Sequence, residues 1–204
     1  MVLIMKVTKE QSAANRKALV DAASKLYRER GVSGVGLAEI SREAGFTHGG
    51  FYGRFASKEE LAAEACDVAF EASLERLGAQ LEKHGGDATA FLKRYFGAAH
   101  RDTPGAGCPM AALAVDAARE GGQLGASMSA GIAAYLRALA VHRADGSIVD
   151  EPTAQDEARA VEVLATMVGG MILARACAEA APGLSDRILR TSLEASLAGA
   201  SKAA

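Results

Sequence analysis

Gly45-Phe46-Thr47-His48-Gly49-Gly50-Phe51-Tyr52-Gly53-Arg54-Phe55-Ala56-Ser57-Lys58 is the stretch that decides how this 204-residue chain is read. Just upstream, Leu37, Ile40 and Ala44 recur at helical spacing. Just downstream a long helical pattern opens. The order is helix, glycine-containing turn, short helix, long helix. A helix-turn-helix lays its second helix in the DNA major groove, so this order points to a chain that reads DNA.

Working outward, each boundary has its own local signal. Gly45 suits the positive φ of a tight turn. Thr47 is placed to cap a short helix over about 48–54, and Ser57, with Glu60 three residues on, opens the next helix as a capping box. Ile40, Ala44, Phe46, Phe51 and Phe55 are spaced to form a small core. Thr47, His48, Tyr52, Arg54 and Lys58 then remain as polar groups for DNA. Free N–H groups at a helix start suit phosphate, which positions the protein, whereas base edges specify sequence. Gly49, Gly50 and Gly53 in one short helix cost about 2–3 kcal/mol of propensity relative to Ala. Packing of Phe51 and Phe55, or close approach of backbone to DNA, has to offset that.

Residues 11–65 resemble the N-terminal DNA-binding domain of TetR-family transcriptional regulators. The likeness rests on Gly31, Ile40, Ala44-Gly45, Thr47, Phe51-Tyr52, Phe55, Ser57-Lys58 and Leu61. It implies that Tyr52, Lys58 and Thr47 hold phosphates and that His48 and Gly49 sit where bases are touched. It departs at Gly36, where members usually carry Thr or Ser, and at Arg54, where His is common. The first weakens a cap by a few tenths of a kcal/mol. The second bears on operator preference or adds a phosphate contact.

Composition agrees with an all-α chain of about nine helices. Half of it is hydrophobic, Trp is absent, and there are four prolines. Residues 1–58 carry ten Lys/Arg against five Asp/Glu, a net +5, which leaves −7 for the rest of a chain of net charge −2. A basic head on an acidic body localises attraction for phosphate. We divide the chain into a helix-turn-helix domain, 1–56, and a helical body, 57–204. Helices are expected over about 8–30, 37–44, 57–83, 87–101, 108–120, 124–142, 153–180 and 185–199, besides the short one. Residues 144–151 read as a polar loop.

The resemblance implies that the body binds a small effector and dimerises. Val161, Leu164, Val168 and Ile172 on one helix, with Leu189, Leu193 and Leu197 on the last, are the candidate dimer face. A dimer also follows from reach, since one short helix reads few bases and paired half-sites match two-fold symmetry. Cys108, Met110, Tyr135, Met167 and Met171 are the candidate effector contacts. Cys108, at a helix start, reads either as a redox or electrophile sensor or as a small buried core residue. A rival enzyme reading makes Cys108 the nucleophile and His100 its base. Three scattered cysteines with no Cys-x-x-Cys argue against a disulfide framework or zinc site, and no cofactor or metal is expected. The start, Val2 to Met5, is too brief for a signal peptide. The apolar run 163–174 is too short to span a bilayer. The expected setting is the cytoplasm, and the expected partners are a palindromic double-stranded operator, a small effector and a second copy.

Overall fold

The computed structural model describes residues 8–46, 53–143 and 147–201. Thr47, His48, Gly49, Phe51 and Tyr52 lie outside the described residues. Nine α-helices run in order among those described.

Helix α1 (Lys9–Arg30) starts where Thr8 accepts from the Gln11 N–H at 3.1 Å. It buries Leu19, Ala22, Ala23, Leu26 and Tyr27 on one face. Helix α2 (Leu37–Glu43) ends in a turn that satisfies its last carbonyls. Phe46 N–H donates to Ser41 at 2.8 Å and Gly45 N–H to Arg42 at 3.0 Å. This six-to-one, five-to-two pairing needs a left-handed residue, and Gly45 has φ 79°. Helix α3 (Lys58–Lys83) opens with Ser57 accepting from Glu60 N–H at 3.0 Å. The Glu60 carboxylate closes the box one residue early, on Ala56 N–H at 2.6 Å. Ile40 and Phe55 are buried in the head, and Phe46 is partly so.

The body departs from the expected pattern once. A single helix over 87–101 is instead two, α4 (Thr89–Tyr95) and α5 (Ala98–Asp102), broken at an extended Gly97. The break frees the Tyr95 carbonyl for the His100 ring, and it lets neighbouring Tyr95 and Phe96 both face inward. After a short 3₁₀ turn (Pro104–Ala106) come α6 (Pro109–Glu120), α7 (Gly122–Val141), α8 (Ala154–Cys177) and α9 (Pro182–Ser201). Helix α9 starts three residues earlier than expected, with proline at its first position, where a missing N–H costs nothing. The polar loop is partly paired, with Arg143 N–H on Ser147 at 2.9 Å and Val149 N–H on Val141 at 3.0 Å.

Helices α7 and α8 are each long and apolar enough to cross a bilayer by length and composition, so the apolar run is longer than 163–174 suggested. Here they are core helices. Helix α7 buries Leu124, Met128, Tyr135 and Leu139, and α8 buries Val163, Leu164, Met167, Met171 and Ala174. Two glycines permit the closest approaches. A side chain at Gly131 of α7 would run into the Phe70 ring of α3, and one at Gly170 of α8 would meet Ser192 of α9.

The N-terminus of α8 is fixed by a reciprocal box. Asp156 takes the Thr153 N–H at 2.9 Å, Thr153 Oγ1 takes the Asp156 N–H at 3.2 Å, and Arg143 grips the same carboxylate at 3.0 and 3.1 Å. The Arg143 and Thr153 bonds hold the Asp156 carboxyl well below the usual carboxylate range. A depressed folded pKa adds stability that is present above the unfolded value of about 3.9 and is lost as pH falls toward the folded one. Asp156→Asn is therefore expected to melt several degrees below wild type at neutral pH, with the gap narrowing as pH drops below about 4. Parallel melting curves at both pH values would count against this.

Candidate nucleic-acid interface and effector cavity

Of the residues expected at DNA, the described ones are Arg54 and Lys58. Both are tied to the packing of the head. The guanidinium of Arg54 lies 5.8 Å from the Phe46 ring centre. The Lys58 ammonium donates to the Val32 carbonyl at 2.7 Å and sits 5.9 Å from the Tyr27 ring centre. It therefore ties the start of α3 to the segment after α1, which the sequence did not suggest. An ammonium has three donors, so this bond leaves two for a phosphate.

Arg16 was not among the expected residues, and it anchors the chain at Arg54 and Phe55, just before α3. Its Nη1 donates to the Arg54 carbonyl at 2.6 Å, its Nη2 reaches Glu60 at 3.0 Å and also Glu64, and its guanidinium lies 4.0 Å from the centre of the Phe55 ring. The fork of an arginine suits this multiple grip.

Head and body meet along α1 and the start of α3. Arg28 Nη1 donates to the Gly107 carbonyl at 2.9 Å, the Val32 N–H to Asp116 at 3.1 Å, and the Gln123 N–H to Glu59 at 2.8 Å. Beyond this seam the body forms a half-open cavity of about 190 Å³. Its walls come from α3 (Ser73, Arg76, Gln80), α4 (Phe91, Arg94, Tyr95), the stretch from His100 to Cys108, and Tyr135 of α7.

His100 is locked between two backbone groups. Its Nδ1 donates to the Tyr95 carbonyl at 2.7 Å, and its Nε2 accepts from the Cys108 N–H at 3.0 Å. Both bonds fit one neutral tautomer. Burial lowers its pKa, and Arg175, Arg76 and Arg94 push the same way. Tyr135 shares a 3.4 Å contact with Ser73, while the Tyr95 hydroxyl is buried beside the Cys108 thiol, with no nitrogen or oxygen partner among the described residues.

Three comparisons bear on this arrangement. Residues 19–65 match the family model described as bacterial regulatory proteins, tetR family. The chain is 31% identical over 87 residues to the HTH-type transcriptional regulator AcrR of Shigella flexneri, a match covering 42% of this chain and 40% of that one. It superposes on a TetR transcriptional regulator from Chloroflexus aurantiacus with a TM-score of 0.70 at 27% identity, over 91% of this chain and 95% of that one. Residues 19–65 are thus those of a tetR-family DNA-binding segment, and the whole chain is similar in fold to TetR regulators. A TetR-family regulator from Cytophaga hutchinsonii shares the fold at a TM-score of 0.73 and 20% identity, over 96% of this chain and 98% of that one. In the AcrR match the chain spans under half the length of that regulator.

Within the body, Cys108 and Tyr135 line the cavity, whereas Met110, Met167 and Met171 are core residues outside its lining. Arg76, Gln80 and Arg94 were missed. Their signal was present, since Ser73, Arg76 and Gln80 form a polar row at helical spacing beside the apolar row of α3. The candidate dimer face is divided. Leu164 and Leu189 pack in the chain's own core at 6% and 5% exposure, while Val161 and Ile172 stand at 52% and 37%. Val168, Leu193 and Leu197 are half-buried.

The geometry does not favour thiol chemistry at Cys108. Burial pushes its thiol up, against the opposing pull of the Ala111 N–H at the start of α6, and a thiol rather than a thiolate is a poor nucleophile. His100 is no base for it, because its Nε2 is taken by the Cys108 backbone. Cys66 is buried and its thiol is pushed up to about 12. Cys177 is only half-buried. Ellman's reagent is thus expected to label Cys177 first, with Cys66 and Cys108 reacting only on unfolding. A fast phase abolished by Cys108→Ala would contradict this.

Proposed function

We propose that this chain is a ligand-responsive transcriptional repressor of the TetR family. A homodimer binds a palindromic operator through its two heads, and a small effector entering the body releases it. The observation that carries the reading is α3. One helix starts against the DNA-reading segment and lines the cavity with Ser73, Arg76 and Gln80. The division at 56/57 makes it the connector of a DNA-binding head and an effector-binding, dimerising body. We place the dimer contact on the exposed side of α8, Val161 and Ile172, with Val168, Leu193 and Leu197 at its margin. The action belongs in the cytoplasm, with the operator.

In this reading Thr47, Tyr52, Arg54 and Lys58 hold phosphates while His48 and Gly49 approach bases. The effector acts by binding the DNA-free arrangement better than the bound one. A 100-fold drop in operator affinity needs about 2.7 kcal/mol of such preference. Selection of DNA from a genomic pool by the purified protein, at fixed near-physiological salt, tests the whole reading. A palindrome should emerge. Only salt-sensitive bulk binding would overturn it. On the selected operator, Tyr52→Ala should weaken binding, and Lys58→Ala should also flatten the salt dependence by about one unit per half-site. An unchanged slope in Lys58→Ala would mean that the ammonium serves only the Val32 carbonyl.

A further inference from the structure

The lining of the 190 Å³ cavity is one-sided in charge. It contains Arg76, Arg94 and His100, and among the described residues it contains no Asp or Glu. Neither the Arg76 nor the Arg94 side chain makes a hydrogen bond or ion pair among the described residues. The wider groove on the other side of Arg76 differs, since Glu29 and Asp102 share its wall with Lys25 and Arg28. Positive potential is therefore left uncompensated specifically on the cavity side. Burial chiefly keeps the neighbouring His100 ring neutral, and Arg175, Arg76 and Arg94 push the same way.

The rest of the lining is of another kind. Phe91, Tyr95 and Tyr135 are 8%, 5% and 1% exposed, and they supply flat apolar surface. The Tyr95 hydroxyl is a buried donor with no stronger partner among the described residues than the neighbouring Cys108 thiol, a weak acceptor. A buried polar group left unpaired costs on the order of 1–3 kcal/mol, so a ligand that accepts from it recovers part of that cost. The volume indicates the size of body that the cavity itself can hold. A cavity of about 150 Å³ holds one benzene ring, so about 190 Å³ admits one ring and a small substituent.

We infer that the cavity takes a small organic anion with a compact apolar body, a single-ring or short branched carboxylate, whose charge meets Arg76 and Arg94 and whose body packs on Phe91, Tyr95 and Tyr135. The Tyr95 hydroxyl donates to the bound carboxylate. This rests on the reading above that the cavity is the effector site, and it adds the chemical class of the effector.

The test separates the two. Benzoate, the neutral isostere benzamide, the cation benzylamine and the bodiless anion acetate are titrated into the full-length protein by calorimetry, up to about 10 mM, where weak fragment binding still registers. Benzoate should bind one per chain, at least about tenfold tighter than benzamide, as expected for a charge-assisted contact. Benzylamine and acetate should not compete with it. Arg76→Gln and Arg94→Gln, at half-buried and exposed positions that bear no structural bond, should fold normally and remove the preference for benzoate over benzamide. Tyr95→Phe should weaken benzoate more than benzamide. Equal binding of benzoate and benzamide, binding of benzylamine, no binding by any probe, or an intact preference in both arginine variants would overturn the inference. Operator affinity is then measured with and without benzoate. If benzoate binds with the expected preference and operator affinity is unchanged, the anion site stands and the effector reading fails. If benzamide alone binds and releases DNA, the effector reading stands and the anion site fails.

Discussion

Gly131→Val is expected to leave little or no folded protein at 37 °C. Any Cβ at this position falls inside the contact distance of Phe70 ring carbons Cγ, Cδ2 and Cε2, and Phe70 is itself buried at 3% exposure. The ring cannot swing away, because packed interiors have no spare volume. Overpacking of this kind costs about 1–3 kcal/mol and sometimes more, and three added carbons place valine at or above the upper end. A domain with about 5–15 kcal/mol of stability does not absorb many such losses. Gly131→Ala should cost less, because it recovers up to about 1 kcal/mol of helix propensity. Gly78→Ala is the control. It lies mid-helix on the exposed side of α3 with nothing within 4 Å of a new Cβ, so it should gain up to about 1 kcal/mol. Chemical denaturation midpoints rank all three, and Phe70→Leu should partly rescue Gly131→Ala through a coupling term. A valine variant that unfolds at the wild-type midpoint would show that α3 and α7 do not meet as described.

Arg16→Ala is expected to weaken operator binding by about one to two orders of magnitude while leaving the body folded. Arg16 is on α1, yet it anchors the Arg54 carbonyl, Phe55 and two carboxylates of α3. Hydrogen bonds to charged groups contribute about 1.5–3 kcal/mol each when protected, and these are about a third exposed, so the lower range applies. What is lost is the position of the backbone leaving the DNA-reading segment. Arg16→Lys should not restore binding, because an ammonium has no planar fork to span a carbonyl, a ring and two acids. Full affinity in Arg16→Lys would reduce its role to simple charge.

Much of the head was legible because its signals are local. Gly45, Ser57 and Glu60 act on atoms within a few residues of themselves, and each does so here. The break at Gly97 was not legible, because it depends on the His100 ring taking the Tyr95 carbonyl and on two aromatics finding the core together. Helix α8 was ambiguous for a related reason. It carries apolar residues on more than one face, so a stripe through Val161, Leu164 and Ile172 is as regular as the buried one through Leu164, Met167 and Met171. Only the packing of α9 tells them apart. The cavity draws its lining from four separate parts of the chain, and no single window of sequence shows them together.

One bond in the seam has a mechanical meaning of its own. The Gly107 carbonyl held by Arg28 and the Cys108 N–H held by His100 belong to a single peptide unit. That unit is a rigid plane, and twisting it out of flatness by about 12° already costs on the order of 1 kcal/mol. It works as a rocker with one arm in each compartment. A shift of the His100 ring would therefore bear, through six coplanar atoms, on the bond that Arg28 of α1 makes to the same plate.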